Sequence, residues 1–447
     1  MKETFIESIA FLALWPLLPD SYAFRCTRPD WLADGLSVRW KSWTEIGTGW
    51  SLLDLQPQVG YVSTYPPRAC GIATYTRDLA RALLMRGRIA RYLIVAINEE
   101  GGNRYSDPNV RFTIDQHANE DYFAAADFLN RSEVDVVNVQ HEYGIYGGEW
   151  GEYVLDLYKT LQKPIITTFH TVLRNPPDKA RRIMSEIAGL SETVIVTIDS
   201  AAKLLEKRFG VNAERISVVR HGAALPERGH NEFAKRFLGL EKRTVLATFG
   251  LISSGKGLEY AIKSLSYLVK ERPELLYMVI GETHPEVRRH EGEAYREKLT
   301  SLTKRLHLEN NVHFVDQYLR DDELSLYLQA MDIFVAPYLG KDQVSSGTIT
   351  LALGHGRAIV ATPSLFAKEE LSNNRGLFCK FADGRSIAEC VERILSDVKL
   401  RRQLETNAFN YGQEMGWTKV ADQYGDILRS AIGIPRTIDQ TAEISEA

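Results

Sequence analysis

Cysteine is scarce. Cys26, Cys70, Cys379 and Cys390 are the only four in 447 residues. They lie far apart with no C-x-x-C pair, which argues against both a disulfide framework and a structural zinc site. A basic excess is missing too: 54 Lys and Arg stand against 58 Asp and Glu, a net charge of −4, so no nucleic-acid partner is expected. No apolar run is long enough to span a bilayer; residues 9–18 form a run of ten that contains Pro16. A secretion signal would open with net positive charge, and here Lys2 is offset by Glu3 and Glu7. What is present is ordinary for a soluble globular chain: 44% hydrophobic and 25% charged residues, in a length that suggests two to three domains at about 150 residues each. The expected setting is the cytoplasm.

From about residue 57, short β-rich apolar runs alternate with amphipathic stretches. Strands are expected at 59–63, 92–97, 134–139, 164–169 and 193–198, with helices at 73–85, 153–161 and 201–209. The rhythm then restarts, with strands at 244–249, 276–280, 312–315, 333–336 and 358–361 and helices at 257–269, 296–306, 324–330 and from 348. Such alternation predicts βαβ units and parallel sheets buried on both faces. The economical architecture is α/β, two doubly wound Rossmann-like halves facing across a cleft. The expected domains are 57–232 and 233–410, followed by a segment at 411–436 and a polar tail at 437–447, with the boundary in the polar stretch 226–241. Residues 1–56 form an extension holding five of the seven tryptophans (Trp15, Trp31, Trp40, Trp43, Trp50). Packing onto the neighbouring domain is the first expectation for it; peripheral membrane contact or an acceptor cleft, through residues 1–50, is the second.

Ligands of open α/β sheets bind beyond the carboxyl ends of the strands, so the loops after strands carry the chemistry. The loop from Ser63 to Tyr75 places Gly71 at a helix start, where free N–H groups favour an anion, with Arg68 and Thr74 as further donors. The loop Phe249-Gly-Leu-Ile-Ser-Ser-Gly-Lys-Gly puts Gly255 and Lys256 at another helix start. Backbone amides plus one ammonium suit a diphosphate, although the spacing is not that of a Walker A loop. A third loop, Gln343-Val-Ser-Ser-Gly-Thr, offers Ser345, Ser346, Gly347 and Thr348, either as an anion-accepting N-terminus or as an ordinary helix cap. Histidines follow strands at His141 (with Glu142), His170 and His284. Each could act as a base, hold a sugar hydroxyl or satisfy a loop. His221, at the junction of the halves, reads first as a turn residue.

Several segments in order resemble the family 4 glycosyltransferases, retaining enzymes of GT-B fold: Tyr-Pro-Pro-Arg-Ala-Cys-Gly-Ile-Ala (65–73), Thr-Phe-His-Thr (168–171), Arg-His-Gly (220–222), Gly-Lys-Gly (255–257), Ala-Met-Asp-Ile-Phe-Val-Ala-Pro (330–337), Gly-His-Gly-Arg-Ala-Ile-Val-Ala-Thr (354–362) and Trp-Thr-Lys-Val-Ala-Asp-Gln-Tyr (417–424). The resemblance covers about residues 57–432. It implies transfer of a hexose from a nucleotide-diphosphate sugar, GDP-mannose or UDP-glucose, to a glycan, lipid or small-molecule hydroxyl. Gly71 would approach the donor phosphates, Lys256 would hold the diphosphate and His170 would contact the transferred sugar. Neither a metal nor another cofactor is implied, and the 417–424 segment would be the helix that crosses back to the first domain.

Two features depart from the family pattern. Its two glutamates, separated by seven residues, are represented here by Gln343 and Leu351, and its arginine before the lysine by Leu251. Leucine cannot accept a ribose hydrogen bond, so donor recognition is expected to differ, with Ser345–Gly347 taking over phosphate contacts. The rival readings are a glycoside phosphorylase using inorganic phosphate and a non-catalytic sugar-nucleotide or glycan-binding protein.

Overall fold

The computed structural model describes residues 56–99, 102–226 and 231–434. The tryptophan-rich extension, its expected membrane contact and the polar tail fall outside the described residues. Two parallel sheets organise the chain. The first has seven strands: β1 (Gln58–Ser63), β2 (Arg91–Asn98), β3 (Val110–Asp115), β4 (Val136–His141), β5 (Ile165–Phe169), β6 (Thr193–Val196) and β7 (Ile216–Val218). Their spatial order is β3-β2-β1-β4-β5-β6-β7. Between them run α1 (Gly71–Met85), α2 (Asn119–Arg131), α3 (Val154–Thr160), α4 (Asp178–Leu190) and α5 (Asp199–Phe209).

The short helix α6 (Asn231–Phe237) leads into the second sheet, which has six strands. They are β8 (Thr244–Phe249), β9 (Leu275–Ile280), β10 (Val312–Val315), β11 (Ile333–Ala336), β12 (Ala358–Ala361) and β13 (Leu377–Phe378), in the order β10-β9-β8-β11-β12-β13. Its helices are α7 (Leu258–Leu265), α8 (Pro285–Glu291), α9 (Ala294–Arg305), α10 (Asp321–Ala330), α11 (Gly347–Gly354), α12 (Leu365–Glu370), α13 (Gly384–Ser396) and α14 (Val398–Gly412). A last helix, α15 (Trp417–Ala431), returns to the first sheet and packs on α1. None of the described helices is long and apolar enough to cross a membrane.

Alternation along buried strands explains why both faces are covered. Tyr61 and Ile94 face one side with Leu79, Leu83, Tyr424 and Leu428, whereas Val62 and Val95 face the other with Tyr122 and Leu129. In the second sheet, Leu246, Tyr277 and Val335 meet Ile262, Leu299 and Val391, while Ala247, Met278 and Phe334 face the opposite way. Full burial of a large apolar side chain among these contributes about 1.5–3 kcal/mol, adding to the β-propensity of the Val, Ile and aromatic residues in the strands.

Strand order reverses between β1 and β4 in the first sheet and between β8 and β11 in the second. Each reversal splays the adjoining loops apart and opens a crevice beyond the strand ends. The loops singled out from the sequence after β1, β4, β8 and β11 border these two crevices. Several elements were not expected. Strand β3 alternates exposed side chains with the inward-facing Val110, Phe112 and fully buried Ile114, the mark of an edge, and so lacks a continuous buried apolar run. Helix α6 lies inside the polar stretch expected to be a plain junction.

Candidate functional site

Hydrogen bonds and ion pairs join the two halves around the cleft. The hydroxyl of Thr197, just beyond β6, donates to the Val344 carbonyl (2.9 Å). Arg77 of α1 reaches Asp321 (2.7 Å). Glu369 of α12 accepts from the amides of Asp199 (2.7 Å) and Ser200 (2.8 Å) and pairs with Arg220 (3.0 Å), so it caps α5 from the other half. Trp417 fills the junction below. A Cβ on Gly222 would meet its ring at 2.2 Å, so only glycine fits there.

On the first side of the cleft, α1 begins at Gly71 without a side-chain cap and without an acidic residue in its first turn. Nothing lies within 4 Å of where a Gly71 Cβ would point. Its leading amides therefore have the free positive end expected of an anion site. Arg68 is not a free donor. It is buried, and its guanidinium bonds the Ile97 carbonyl (3.2 Å), Gln116 (3.1 Å) and Glu99 (2.9 Å), fastening the loop to β2 and β3. Glu99 also pairs with Arg289 of α8, which links that fastening to the second half.

On the second side, the Lys256 ammonium sits 4.4 Å from the ring centroid of Tyr338 and 3.4 Å from its hydroxyl. Tyr338 in turn bonds Thr348 (2.7 Å), which lies 3.2 Å from the Ser346 hydroxyl. Gly250 has φ of +102°, and a Cβ there would come 3.2 Å from Thr348 and 3.5 Å from Lys256, so glycine keeps the floor of this pocket open. Gly257, at φ +62°, lets the loop pass Pro337, whose carbonyl a Cβ would meet at 2.4 Å. Gly255 accepts from the Leu339 amide (2.9 Å), tying the loop after β8 to the loop after β11. Ser346 is the N-cap of α11, its hydroxyl accepting from Ile349 (3.4 Å), so the cap reading of that residue holds. Gln343 and Ser345 are partly exposed on the loop leading into α11, and Leu351 is partly buried against the core.

The histidines part company. His170 and His221 both pack edge-on against Tyr75, with centroids 5.0 and 4.9 Å away. The His221 ring lies against Gly347, whose Cβ would come 3.3 Å from it, so this imidazole bridges the halves. Burial, reinforced by the neighbouring His221 and His141 rings, holds the His170 imidazole down at about 3; burial likewise holds His221 at about 4. Both are neutral at physiological pH, which suits hydrogen bonding better than proton abstraction. His141 is elsewhere. It is fully buried in a cage of Tyr143, Tyr146 and Phe169, and neither ring nitrogen has a partner. Glu142 caps the following turn through the Tyr143 amide (3.0 Å) and takes the Thr171 hydroxyl. His284 caps α8 by accepting from the Glu286 amide (3.2 Å) through Nδ1, which leaves its proton on Nε2.

Thus Gly71, His170, Lys256, Gly347 and Thr348 gather at the two crevices, whereas Arg68, His141 and Glu142 belong to the wall. Sequence reading missed Tyr75, Tyr338 and Tyr424. Tyrosines at helical or post-strand positions look like core, and only the fold brings the Tyr75 and Tyr424 hydroxyls together and sets that of Tyr338 beside Thr348 and Lys256. Among the described residues no group of three His, Cys, Asp or Glu side chains is placed to hold a metal ion.

Two Rossmann-like parallel α/β domains facing across a cleft define the GT-B architecture. Two family models match the chain: Glycosyltransferase Family 4 over residues 69–225 and Glycosyl transferases group 1 over residues 230–411. The fold together with these two matched domains identifies a glycosyltransferase of GT-B fold, similar to the family 4 and group 1 enzymes. No match was found among curated proteins. Solved structures share the fold. HepE of Anabaena, in complex with UDP and glucose, is 14% identical with a TM-score of 0.67, the alignment covering 84% of this chain and 100% of that one. Sucrose-phosphate synthase of Thermosynechococcus elongatus is 18% identical with a TM-score of 0.67, covering 84% and 99%. The UDP-forming α,α-trehalose-phosphate synthase of Burkholderia vietnamiensis is 13% identical with a TM-score of 0.62, covering 84% and 99%.

Proposed function

We propose that the protein transfers a hexose, with retention of anomeric configuration, from a nucleotide-diphosphate sugar to a hydroxyl acceptor. The observation that carries this reading is the convergence of Lys256, Tyr338 and Thr348 beside the open Gly250 floor, facing the uncapped start of α1 across the cleft. As the glycosidic bond breaks, negative charge builds on the leaving diphosphate. A fixed ammonium and backbone amides stabilise charge where it develops, and Lys256 and Gly71 take those roles here. Gln343, Ser345, Gly347 and Thr348 line the donor side, while His170 contacts the transferred sugar as a neutral hydrogen-bonding group. Retention rests on the resemblance to retaining family 4 enzymes.

UDP-glucose is the favoured donor, because HepE of Anabaena has also been solved with UDP-glucose and the synthase of Burkholderia vietnamiensis is UDP-forming. GDP-mannose, the other donor expected from the sequence, has no such support. The acceptor is a glycan, lipid or small molecule.

The test is release of UDP from UDP-glucose by the purified chain, with and without a panel of hydroxyl acceptors, followed by NMR of the product. An α-linked product supports the proposal. A β-linked product would overturn retention, and phosphorolysis of an α-glucoside without nucleotide turnover would overturn the transferase reading.

A further inference from the structure

His170 is held by a chain of buried side chains that fixes more than its position. Asn138 of β4 donates through Nδ2 to the Ile166 carbonyl (3.3 Å), which leaves its Oδ1 facing Gln140. Gln140 answers with its own amide nitrogen, donating to Asn138 Oδ1 (2.5 Å) and to Thr168 Oγ1 (3.4 Å). With both amide hydrogens directed there, the Gln140 oxygen is the atom left for His170, and it lies 2.8 Å from Nε2. An amide oxygen only accepts, so Nε2 must carry the ring proton. Asn138, Gln140 and Thr168 are fully buried and His170 is 8% exposed, so water is not positioned to compete for these bonds. The chain continues through Thr168 to the Tyr424 hydroxyl (3.0 Å) on α15, and from there to Tyr75 (2.9 Å) on α1.

We propose that Asn138 and Gln140 are positioning residues that lock His170 as the Nε2–H tautomer, presenting Nδ1 as a neutral acceptor for a hydroxyl of the transferred sugar. This rests on the glycosyltransferase reading and on the contact of His170 with that sugar. A ring with the opposite tautomer would present a donor to the same hydroxyl and reverse the bond. Titratable groups packed around His170 are Tyr75 from α1, His141 from β4, His221 from the loop after β7 and, through Thr171 and Thr168, Glu142 and Tyr424. With both neighbouring imidazoles buried and neutral, the ring lacks a close carboxylate on Nε2 that would favour its charged form.

Two variants separate positioning from packing. Gln140→Leu removes the acceptor at similar volume. Gln140→Glu keeps an oxygen on Nε2, and the Thr168 hydroxyl can rotate to donate to the carboxylate, while Asn138 Oδ1 loses its donor as it does in Gln140→Leu. The full chain is labelled with [15N]histidine and His170 is assigned by its loss in His170→Phe. In the wild type, the ring is expected to show the Nε2–H pattern unchanged between about pH 5 and 8. Gln140→Leu should lose that pattern, with kcat for UDP-glucose turnover down by about tenfold at every pH. Gln140→Glu should keep it at about pH 8, with kcat within about threefold of wild type, and gain an acid limb as the carboxylate-paired imidazole protonates and Nδ1 ceases to accept. An Nδ1–H pattern or a titrating ring in the wild type overturns the proposal. So does wild-type kcat in Gln140→Leu, or a Gln140→Glu ring that has lost the Nε2–H pattern at pH 8 as fully as Gln140→Leu, since the retained oxygen would then not be what fixes the tautomer. Absence of nucleotide-sugar turnover in the wild type would count against the transferase reading only, because the spectra still decide the tautomer.

Discussion

Replacing Lys256 with alanine should separate donor-phosphate stabilisation from folding. In the free protein the Lys256 ammonium has a cation–π contact with Tyr338 at 4.4 Å and a long bond to its hydroxyl at 3.4 Å. Those contribute about 0.5–1 kcal/mol to stability, so the variant should fold with a nearly unchanged melting temperature. Against a diphosphate the same ammonium matters more. At about 4 Å and an effective dielectric near 20, the attraction is about 4 kcal/mol, and removing one preorganised donor from developing charge costs about 2.7–4 kcal/mol in comparable sites. Because Lys256 is only half-buried, the range expected is about 2–4 kcal/mol, or a roughly 30- to 1,000-fold fall in kcat/KM for the nucleotide sugar. Lys256→Met, which keeps the apolar stem, should fall by a similar factor. The assay is steady-state release of UDP from UDP-glucose. A loss of less than about threefold in both variants would place the diphosphate elsewhere.

Glu369→Ala should cost about 2–3 kcal/mol in urea unfolding, since it strips α5 of two amide bonds, the Ser200 hydroxyl bond and the Arg220 pair. Burial pushes the Glu369 carboxyl up, but the Ser200 hydroxyl and the Ser200 and Asp199 amides outweigh it and leave the group below its usual range. Its contribution is therefore full above the unfolded carboxylate range and lost as pH falls through the lower folded value; an equal loss at all acid pH values would contradict this. Glu370 behaves oppositely: burial pushes it up to about 7, only partly relieved by Arg220. Ionising it costs stability as pH rises from the unfolded value through about 7, so Glu370→Gln should match wild type near pH 5 and be more stable at pH 8, by roughly 1–3 kcal/mol in denaturant titrations. Gly222→Ala should lose about 2–3 kcal/mol by the same measure, because the added Cβ would sit 2.2 Å from Trp417. A neutral outcome would mean that the indole is free to swing away.

Buried parallel strands announce themselves as short apolar runs, so β1, β8, β11 and β12 were legible to within a residue. Edge and amphipathic elements were not. Val110–Asp115 alternates apolar and polar residues over six positions, a half-buried strand pattern without the continuous apolar run used to find the others, and α4 (Asp178–Leu190) hides five buried residues among charged ones. The glycine- and serine-rich loops after β1, β8 and β11 were legible as turns into helices, because small residues between a strand run and a helical run mark such turns. The histidines were ambiguous, because residue type and position after a strand are the same for His141 and His170. What separates them is a ring of aromatic neighbours around one and a Gln140 oxygen beside the other. Neither partner set is adjacent in sequence. The hydroxyl chain through Tyr424 was equally hidden, because it joins residues 256 and 349 positions apart.

The central claim is that the loops after β8 and β11 hold a nucleotide diphosphate. Its most direct test is a thermal-shift comparison of UDP, GDP, ADP, their sugar conjugates and inorganic phosphate on wild type and Lys256→Ala. A ligand at about 100 times its Kd stabilises the folded state by about 2.7 kcal/mol, which is readable as a rise of several degrees. The account predicts a rise with UDP and UDP-glucose that is largely lost in Lys256→Ala. A rise with phosphate alone, or with UDP equally in both proteins, would contradict it.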